Sequence, residues 1–131
     1  MAKQVKIIIQ DQEGKYLLVR RADKEKIEHW GNWECPGGKL EEGESFEDAA
    51  IRETKEEVNL DIKLVKVVKE LDKNGEVMAV VFLGKPATTE VTLSEEHSDH
   101  GWFTHKELKT LEPITYKDFF LELIELAKSN S

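Results

Sequence analysis

The sequence predicts an α/β sandwich with a mixed β-sheet, and three observations support this fold class. The chain has 131 residues, 39% apolar and 35% charged, as expected of one globular domain rather than a disordered chain. Strand-like segments occur in two pairs separated by turn residues. Two helical segments occur without regular β-α-β alternation. We therefore expect a single domain over residues 1–131 that mixes parallel and antiparallel strands.

The first pair of strand-like segments predicts a hairpin. Residues 3–10 and 16–22 are rich in β-branched and apolar side chains, and residues 11–14 between them have turn chemistry. Such a hairpin would place the two segments side by side in one sheet.

A second hairpin is predicted for residues 60–71 and 76–84. The Asn74-Gly75 pair between them suits the positive φ angles of a type I′ turn. Residues 101–105 predict one more short strand.

Residues 45–58 form the clearest helix pattern. Ser45 can cap the N-terminus, and Asn59 can take the left-handed conformation that ends a helix. Glu47 and Asp48 favour the positive end of the helix dipole.

Residues 114–128 predict a second helix, in which Thr115 and Asp118 resemble a capping pair. Its apolar positions recur at helical spacing at Phe119, Leu123 and Leu126. This pattern predicts that the helix packs on a core.

The first helix is predicted to gather three glutamates on one side. At about 100° per residue, one sector holds Glu53, Glu56 and Glu57. Another sector, which can enter a core, holds Ile51, Thr54 and Val58. Like charges at this spacing cost little when solvated, so a solvated acidic face is the alternative to a functional site.

A glycine pair stands upstream of the acidic helix. Gly37 and Gly38 permit a close approach that a Cβ would block, although such a pair is often only a turn. Together, the loop and the helix supply carbonyl and carboxylate oxygens, the ligands that Mg²⁺ prefers, with Mn²⁺ as a substitute. No Cys/His cluster has zinc-like spacing, and the lone Cys35 cannot form an internal disulfide.

The charge and hydropathy of the chain restrict its partners. The formal net charge of −8 at pH 7 repels polymeric nucleic acid. The longest apolar-rich run, residues 77–83, is too short to cross a membrane, and residues 1–10 lack the pattern of a secretory signal. We expect a cytoplasmic monomer or homodimer that binds neither membranes nor polymeric nucleic acid.

A motif at fixed spacing links the glycine pair to the acidic helix. Five residues separate Gly38 from Glu44, and seven more precede residues 52–60, which read Arg-Glu-Thr-Lys-Glu-Glu-Val-Asn-Leu. This pattern resembles the Nudix box, and all its glutamates and its arginine are present. The departures are Thr54 at an aliphatic position and Asn59 at the terminal glycine, and neither changes a charge.

The resemblance extends to residues 18–22 and 32–43, which are similar to the MutT-like branch of the family. A glutamate six residues before Trp102, here Glu96, fits the same branch. The resemblance implies a Nudix-type α/β/α sandwich and Mg²⁺-dependent hydrolysis of a nucleoside diphosphate linked to another group.

The resemblance also implies roles for the residues of the box. The metal ligands would be Glu53, Glu56 and Glu57, with the Gly37 carbonyl as an addition. Arg52 and Glu44 would orient these ligands, since a metal site depends on what holds its ligands.

The identity of the general base stays open between Glu53 and a glutamate from a distant loop. Glu96 is the candidate in that loop, and Glu95 competes with it. His97 and His100 belong to the same polar segment, for which plain solvation is the alternative role.

Phosphate recognition is expected from one of two neighbouring arginines, since strand alternation directs only one of them into a cleft. The resemblance favours Arg20 over Arg21, together with Gly38 and Lys39, and a surface ion pair is the alternative. Three aromatic residues either stack on a base or pack in the core, namely Trp33, Phe82 and Trp102.

The similarity to MutT-like enzymes implies a small nucleotide substrate, first of all a nucleoside triphosphate cut to monophosphate and pyrophosphate. MutT enzymes read the purine with an Asn before a Glu-Pro pair, where this chain has Leu111, so the resemblance does not predict a preference for 8-oxo-guanine. One alternative is a hydrolase of nucleoside diphosphate sugars such as ADP-ribose, which usually carries a proline that residues 73–77 lack. The other is a non-catalytic nucleotide sensor, which typically loses box glutamates.

Overall fold

A computed structural model describes residues 2–22 and 31–129 of the chain. The strands are β1 (Gln4–Ile9), β2 (Tyr16–Arg21), β3 (Trp33–Glu34), β4 (Gly37–Lys39), β5 (Ile62–Lys73), β6 (Glu76–Pro86) and β7 (His97–Phe103). The helices are α1 (Phe46–Val58), α2 (His105–Thr110) and α3 (Lys117–Lys128). Over these described residues, none of the helices has the length and apolar character needed to cross a membrane.

The strands form two sheets. The larger has the order β4-β1-β6-β5, with β1 parallel to β6 and antiparallel to β4. The smaller is antiparallel and has the order β3-β2-β7. The predicted mixed sheet is therefore confirmed.

The hairpin predicted for residues 3–10 and 16–22 is wrong, because β1 and β2 lie in different sheets. An isolated bridge between Gln10 and Tyr16 joins the two segments where the chain passes from one sheet to the other. Both strands are inner strands with side chains buried on both faces. Each strand therefore has a neighbour on either side, which a simple hairpin does not provide.

The second predicted hairpin is confirmed by the antiparallel pairing of β5 with β6. Asn74 and Gly75 have φ angles of 55° and 82°, as the turn type requires. The last strand begins at His97 rather than at residue 101 and ends at Phe103. Its polar first half pairs with β2 through the backbone, so a search for apolar residues misses it.

Helix α1 has both predicted ends. The Ser45 hydroxyl oxygen accepts a hydrogen bond from the Asp48 N–H at 3.0 Å, and Asn59 takes the left-handed conformation with φ of 57°. The buried face is rotated from the predicted one, because Ile51 is 45% exposed. The residues that α1 buries are Ala49, Ala50, Thr54, Glu57 and Val58.

Helix α2 was not predicted, and it occupies part of the segment for which the sequence predicted a strand. Its first turn is fixed by a capping box in which the Thr104 hydroxyl accepts from the Glu107 N–H and the Glu107 carboxylate accepts from the Thr104 N–H. This local pattern is present in the sequence and is the signal that would have found the helix.

Helix α3 starts three residues later than predicted, at Lys117. Tyr116 is its N-cap in the left-handed conformation, so the predicted Thr115 cap is wrong. The Thr115 N–H instead donates to the Trp33 carbonyl at 2.9 Å, which ties the segment before the helix to β3. The buried residues of α3 are Phe120, Leu123, Ile124 and Ala127.

Two hydrophobic clusters explain the layered architecture. Successive residues of β1 alternate between them, with Ile8 in the cluster that includes α3 and Ile7 in the cluster that includes α1. Residues Leu17 and Leu18 of β2 alternate in the same way. Because successive strand side chains point to opposite faces, the two helices pack on opposite sides of the strands. The α/β/α sandwich is therefore confirmed.

Candidate active site at the glycine loop and the acidic helix

The site begins where β4 meets α1. Strand β4 pairs with β1, and a Cβ on either of its two glycines would lie too close to a neighbouring group. A Cβ on Gly37 would lie 2.2 Å from the Val5 carbonyl oxygen. A Cβ on Gly38 would lie 2.6 Å from the carboxyl group of Glu53. The glycine pair therefore brings the backbone of β4 into close approach with the acidic helix.

Arg52 organises the carboxylates around it. Its Nε and Nη2 donate to both oxygens of Glu44 at 2.8 and 2.9 Å. Its Nη1 lies 3.0 Å from Glu53 Oε1 and 3.2 Å from Glu56 Oε2. Its Nη2 also donates to the Lys39 carbonyl at 3.1 Å. Arg52 thus ties the helix to β4 and holds the Glu53 carboxylate, and its role in orienting metal ligands stays a prediction.

Glu44 is the main counter-ion of Arg52. Hydrogen bonds from the Arg52 guanidinium and from the Glu41 N–H lower the pKa of Glu44 to about 2. The same pairing raises the pKa of Arg52 above its ordinary value. Glu44 and Arg52 are therefore both charged around neutral pH. Their ion pair joins the segment before α1 to the helix itself.

Glu57 is the deepest acidic group of the box. It is 4% exposed, and its Oε2 accepts a hydrogen bond from the Gly37 N–H at 3.2 Å. Burial, together with a hydrogen bond to Glu53 and the charge of that neighbour, raises the pKa of Glu57 well above its usual range. Two adjacent carboxylates in a buried position resist full ionisation unless a cation joins them.

Glu56 differs from the other two acidic candidates. Its side chain is 57% exposed, and it pairs with Arg52 on the solvent side of α1. The predicted three-glutamate face is therefore two glutamates turned toward the glycine loop and one turned toward solvent.

A second group of charged and polar residues, Arg21, Glu34 and His97, lies next to Glu57. Arg21 Nη1 donates to Glu34 Oε2 at 3.1 Å, and His97 Nε2 lies 3.3 Å from the same oxygen. Burial alone would raise the pKa of Glu34, but the hydrogen bond with His97 and the charges of Lys6 and Arg21 outweigh it and lower that pKa to about 2. Glu34 is therefore a buried anion held by its neighbours.

A polar cleft of about 460 Å³ opens over these groups. Its lining residues come from β1, β2, β4, α1 and the loop before β7, and include Arg21, Gly37, Gly38, Lys39, Arg52, Glu53 and Glu96. Glu96 reaches the cleft because the Ala22 N–H donates to its carbonyl at 2.9 Å. The structure thus brings Arg52 and Glu53 of the box, Lys39 and the distant Glu96 together around one cleft.

The two arginines of β2 have different positions. Arg21 lines the cleft, whereas Arg20 donates from Nε to the Gly31 carbonyl at 2.9 Å, with its guanidinium 5.8 Å from the Trp33 ring centre. Strand alternation turns the second arginine, Arg21, toward the cleft, and the phosphate-binding role of Arg20 stays a prediction that its position does not favour.

The three aromatic candidates do not line the cleft. Phe82 is a core residue that is 3% exposed. Trp33 is buried and meets the Phe103 ring edge-on at 5.3 Å. Trp102 borders a different surface cavity, beside residues 86–89. Trp33 and Phe82 therefore pack in the core and do not face the cleft.

An apolar cavity of about 240 Å³ adjoins the cleft. The two share Gln4 and Lys6 as lining residues. Burial raises the pKa of Cys35 to about 11, so its thiol is neutral and adds to the apolar wall. The other walls come largely from β6 and α3, including Val81, Phe119 and Phe120.

The donor groups of the site fit a divalent cation. One ligand atom each of Glu57, Glu96 and His97 lies within 4.8 Å of the others. The carboxylate of Glu53 lies against Gly38, where the missing Cβ leaves room for it. Carboxylate oxygens in this number are the ligands that hard divalent cations take.

Sequence reasoning missed Glu34 and underrated His97 and Arg21. These three residues come from β3, β7 and β2, which are adjacent only in the folded sheet. Strand alternation could have predicted that Arg21 faces the cleft. No local sequence pattern predicts the contact between Glu34 and His97.

Comparisons with known proteins agree with this geometry. A family model described as NUDIX domain matches residues 2–123. The chain is 34% identical over 119 residues to the nucleoside triphosphatase NudI of Enterobacter sp. (strain 638), covering 80% of this chain and 83% of that one. It is 32% identical over 104 residues to a MutT-like protein of Streptomyces ambofaciens, covering 77% of this chain but only 62% of that one.

A solved structure supports the same conclusion. An ADP-ribose pyrophosphatase from Streptococcus suis 89-1591 has a TM-score of 0.76 and 29% identity, covering 99% of this chain and 94% of that one. Members of this family generally use a divalent metal, which the acidic cluster described above suits. The chain therefore belongs to the Nudix family of hydrolases, and its relatives include MutT-like proteins.

Proposed function

We propose that this chain hydrolyses the diphosphate linkage of a small nucleotide, with Mg²⁺ as its cation and Mn²⁺ as a substitute. The leading substrate is a nucleoside triphosphate, cut to monophosphate and pyrophosphate. The observation that carries the proposal is the Glu53 and Glu57 carboxylate pair held against the Gly37-Gly38 backbone beside the polar cleft.

The residues of the site prepare it for the reaction. When bound, the cation neutralises phosphate charge and lowers the pKa of an attacking water. Arg52 fixes Glu53, and the Gly37 N–H fixes Glu57, so both carboxylates are oriented beforehand. The Gly37 carbonyl and Glu56 remain predicted ligands, and the solvent position of Glu56 makes it the weaker of the two.

We infer that Glu96 rather than Glu53 is the general base. A base must reach the attacking water and be free to accept its proton. Glu53 is engaged by the Arg52 guanidinium at 3.0 Å. Glu96 is exposed, lines the cleft and is held there through its backbone rather than its carboxylate.

The two adjoining cavities suit the two halves of a nucleotide. Cationic side chains along the cleft, Arg21 and Lys39, can pair with phosphate oxygens. The apolar cavity beyond Lys6 is lined for an aromatic base. The similarity to a nucleoside triphosphatase supports the triphosphate as first choice. A nucleoside diphosphate sugar is the second candidate, supported by the likeness to an ADP-ribose pyrophosphatase.

The remaining expectations concern partners and location. We propose a monomer or homodimer in the cytoplasm that does not bind polymeric nucleic acid, in keeping with the net charge of −8 and the single cysteine of the chain. A non-catalytic sensor is disfavoured because Glu53, Glu56 and Glu57 are all present.

The test is a substrate screen by phosphate and pyrophosphate release. Nucleoside triphosphates, dinucleotides and nucleotide sugars are each supplied with Mg²⁺, with Mn²⁺ or with EDTA. The proposal expects pyrophosphate from at least one triphosphate with either cation and none in EDTA. A nucleotide sugar as the best substrate would select the second candidate, and equal turnover in EDTA would contradict cation dependence.

A further inference from the structure

His97 has a position that the proposed reaction does not explain. Its side chain is 1% exposed, and its Nε2 lies 3.3 Å from Glu34 Oε2 and 3.8 Å from Glu57 Oε1. Its other ring nitrogen, Nδ1, is buried and has no hydrogen-bond partner among the residues that the structure describes. One of its ring nitrogens also lies within 4.8 Å of ligand oxygens of both Glu57 and Glu96.

The imidazole is left unsatisfied in either neutral form. A neutral ring carries one N–H and one lone pair. If Nε2 carries the proton, it donates to Glu34, and the Nδ1 lone pair has no donor. If Nδ1 carries the proton, that N–H has no acceptor, and the Nε2 lone pair faces two carboxylates. A buried group in this state calls for a further partner, and a cation among the carboxylates would provide one.

We propose that His97 is a nitrogen ligand of the divalent cation, beside Glu57 and one carboxylate oxygen of Glu96, whose other oxygen stays free to act as the proposed base. This inference rests on the proposed cation-dependent function and adds an imidazole to its carboxylate ligands. Imidazole binds Mn²⁺ and Co²⁺ better than it binds Mg²⁺, which prefers oxygen. His97 therefore biases the site toward transition-metal ions.

Glu34 would hold the His97 ring in place for this role. Its Oε2 lies 3.1 Å from Arg21 Nη1 and 3.3 Å from His97 Nε2. Carboxylates next to a metal-binding histidine commonly fix its ring and strengthen it as a ligand. With the Nε2–H donating to Glu34, the Nδ1 lone pair is the one left for the cation.

The experiment is pulsed electron paramagnetic resonance on the full chain loaded with Mn²⁺ alone. Protein with natural histidine is compared with protein grown on ¹⁵N-labelled histidine, so that the ligand is identified without a substitution. His97→Gln is the test variant. The matched control is His100→Gln, on the same strand but outside the cluster.

The inference expects a nitrogen coupling on Mn²⁺ that shifts with the ¹⁵N label, disappears in His97→Gln and persists in His100→Gln. In binding titrations, His97→Gln should weaken Mn²⁺ by about tenfold and Mg²⁺ by less. Bound Mn²⁺ without histidine coupling, or with coupling that survives in His97→Gln, would overturn the inference while leaving the proposed function intact. Absence of any Mn²⁺ binding would contradict both.

Discussion

Gly38 shows how one missing side chain leaves room for a carboxylate of the candidate site, that of Glu53. A Cβ at this position would lie 2.6 Å from the Glu53 carboxyl group, which is the free end of a flexible side chain. The side chain of Glu53 can move aside, so the fold tolerates the change better than the site does. Gly38 therefore serves alignment more than stability.

Gly38→Ala should lower kcat by about a hundredfold, because small misplacements of catalytic groups carry costs of that size. Its thermal unfolding midpoint should stay within a few degrees of the parent. Steady-state kinetics and a melting curve measure both quantities. A variant with parental kcat would show that the close approach of Gly38 to Glu53 is unimportant.

Glu57 is the residue at which the proposed function would act against folding stability. Its pKa is raised in the folded protein by burial and by Glu53, whereas in the unfolded chain its pKa is near the ordinary glutamate value of 4.5. Above that pH the unfolded chain binds fewer protons, so folding stability falls as pH rises toward the folded pKa. A cation that joins the carboxylates removes this cost.

In EDTA, Glu57→Gln should therefore melt above the parent at pH 8, and the difference should vanish near pH 4, where Glu57 is protonated in both states. Adding Mg²⁺ should stabilise the parent and narrow the gap at pH 8. Melting curves across pH measure the effect. A variant less stable than the parent at pH 8 in EDTA would contradict this account of Glu57.

Among the helices and strands, the features predicted correctly are those that depend on neighbouring residues in the sequence. The caps of α1 and the Asn74-Gly75 turn were predicted correctly, because both depend on residues close together in the chain. The division of β1 and β2 between two sheets was not predicted, because it depends on which distant strands pair with them.

The contacts of the candidate site follow the same rule: those between residues close in the chain were predicted, and those between distant residues were not. The box residues Glu44, Arg52, Glu53 and Glu57 lie together as the motif implied, since one helix and one short strand carry most of them. The Glu34 contact with His97 joins residues 63 positions apart and has no local pattern. Burial also separates the roles of Glu56 and Glu57, which spacing alone makes equivalent.

The junction of β4 with α1 depends on the Glu44 and Arg52 pair. The pKa of Glu44 is lowered to about 2, so the folded state binds a proton there less readily than the unfolded chain, whose value is 4.5. The stability from this pair is present above pH 4.5 and is lost as pH falls toward 2.

Glu44→Gln should remove that part of the pH dependence. Between pH 6 and pH 3, the urea midpoint of the parent should fall more steeply than that of the variant. Glu47→Gln, in the first turn of α1, is a control that keeps the pair with Arg52. Parallel pH profiles for the parent and Glu44→Gln would show that the pair does not stabilise the junction.

At the scale of the whole molecule, the sandwich places two unlike cavities side by side. Helix α1 and β4 frame the polar cleft, while α3 and β6 wall the apolar cavity, with Lys6 of β1 between them. The position of the substrate's nucleobase in the apolar cavity would decide which phosphorus atom lies over the carboxylates in the polar cleft. The reaction products therefore report how the whole substrate is seated.

For a nucleoside triphosphate in ¹⁸O-labelled water, we expect the label in pyrophosphate, which marks attack at the β-phosphorus. Mass spectrometry of both products measures this directly. Label in the monophosphate would mean attack at the α-phosphorus and a different substrate register. Label in orthophosphate would mean attack at the γ-phosphorus and would exclude the proposed product pair.

The central claim is that the carboxylates beside the glycine loop perform cation-dependent hydrolysis, and turnover of Glu57→Gln tests it most directly. With the preferred substrate and saturating Mg²⁺, we expect kcat at least about a hundredfold below the parent, with the fold retained by circular dichroism. Glu56→Gln, which changes the solvent-facing neighbour, should lose much less. Near-parental kcat in folded Glu57→Gln, or parental turnover in EDTA, would contradict the claim.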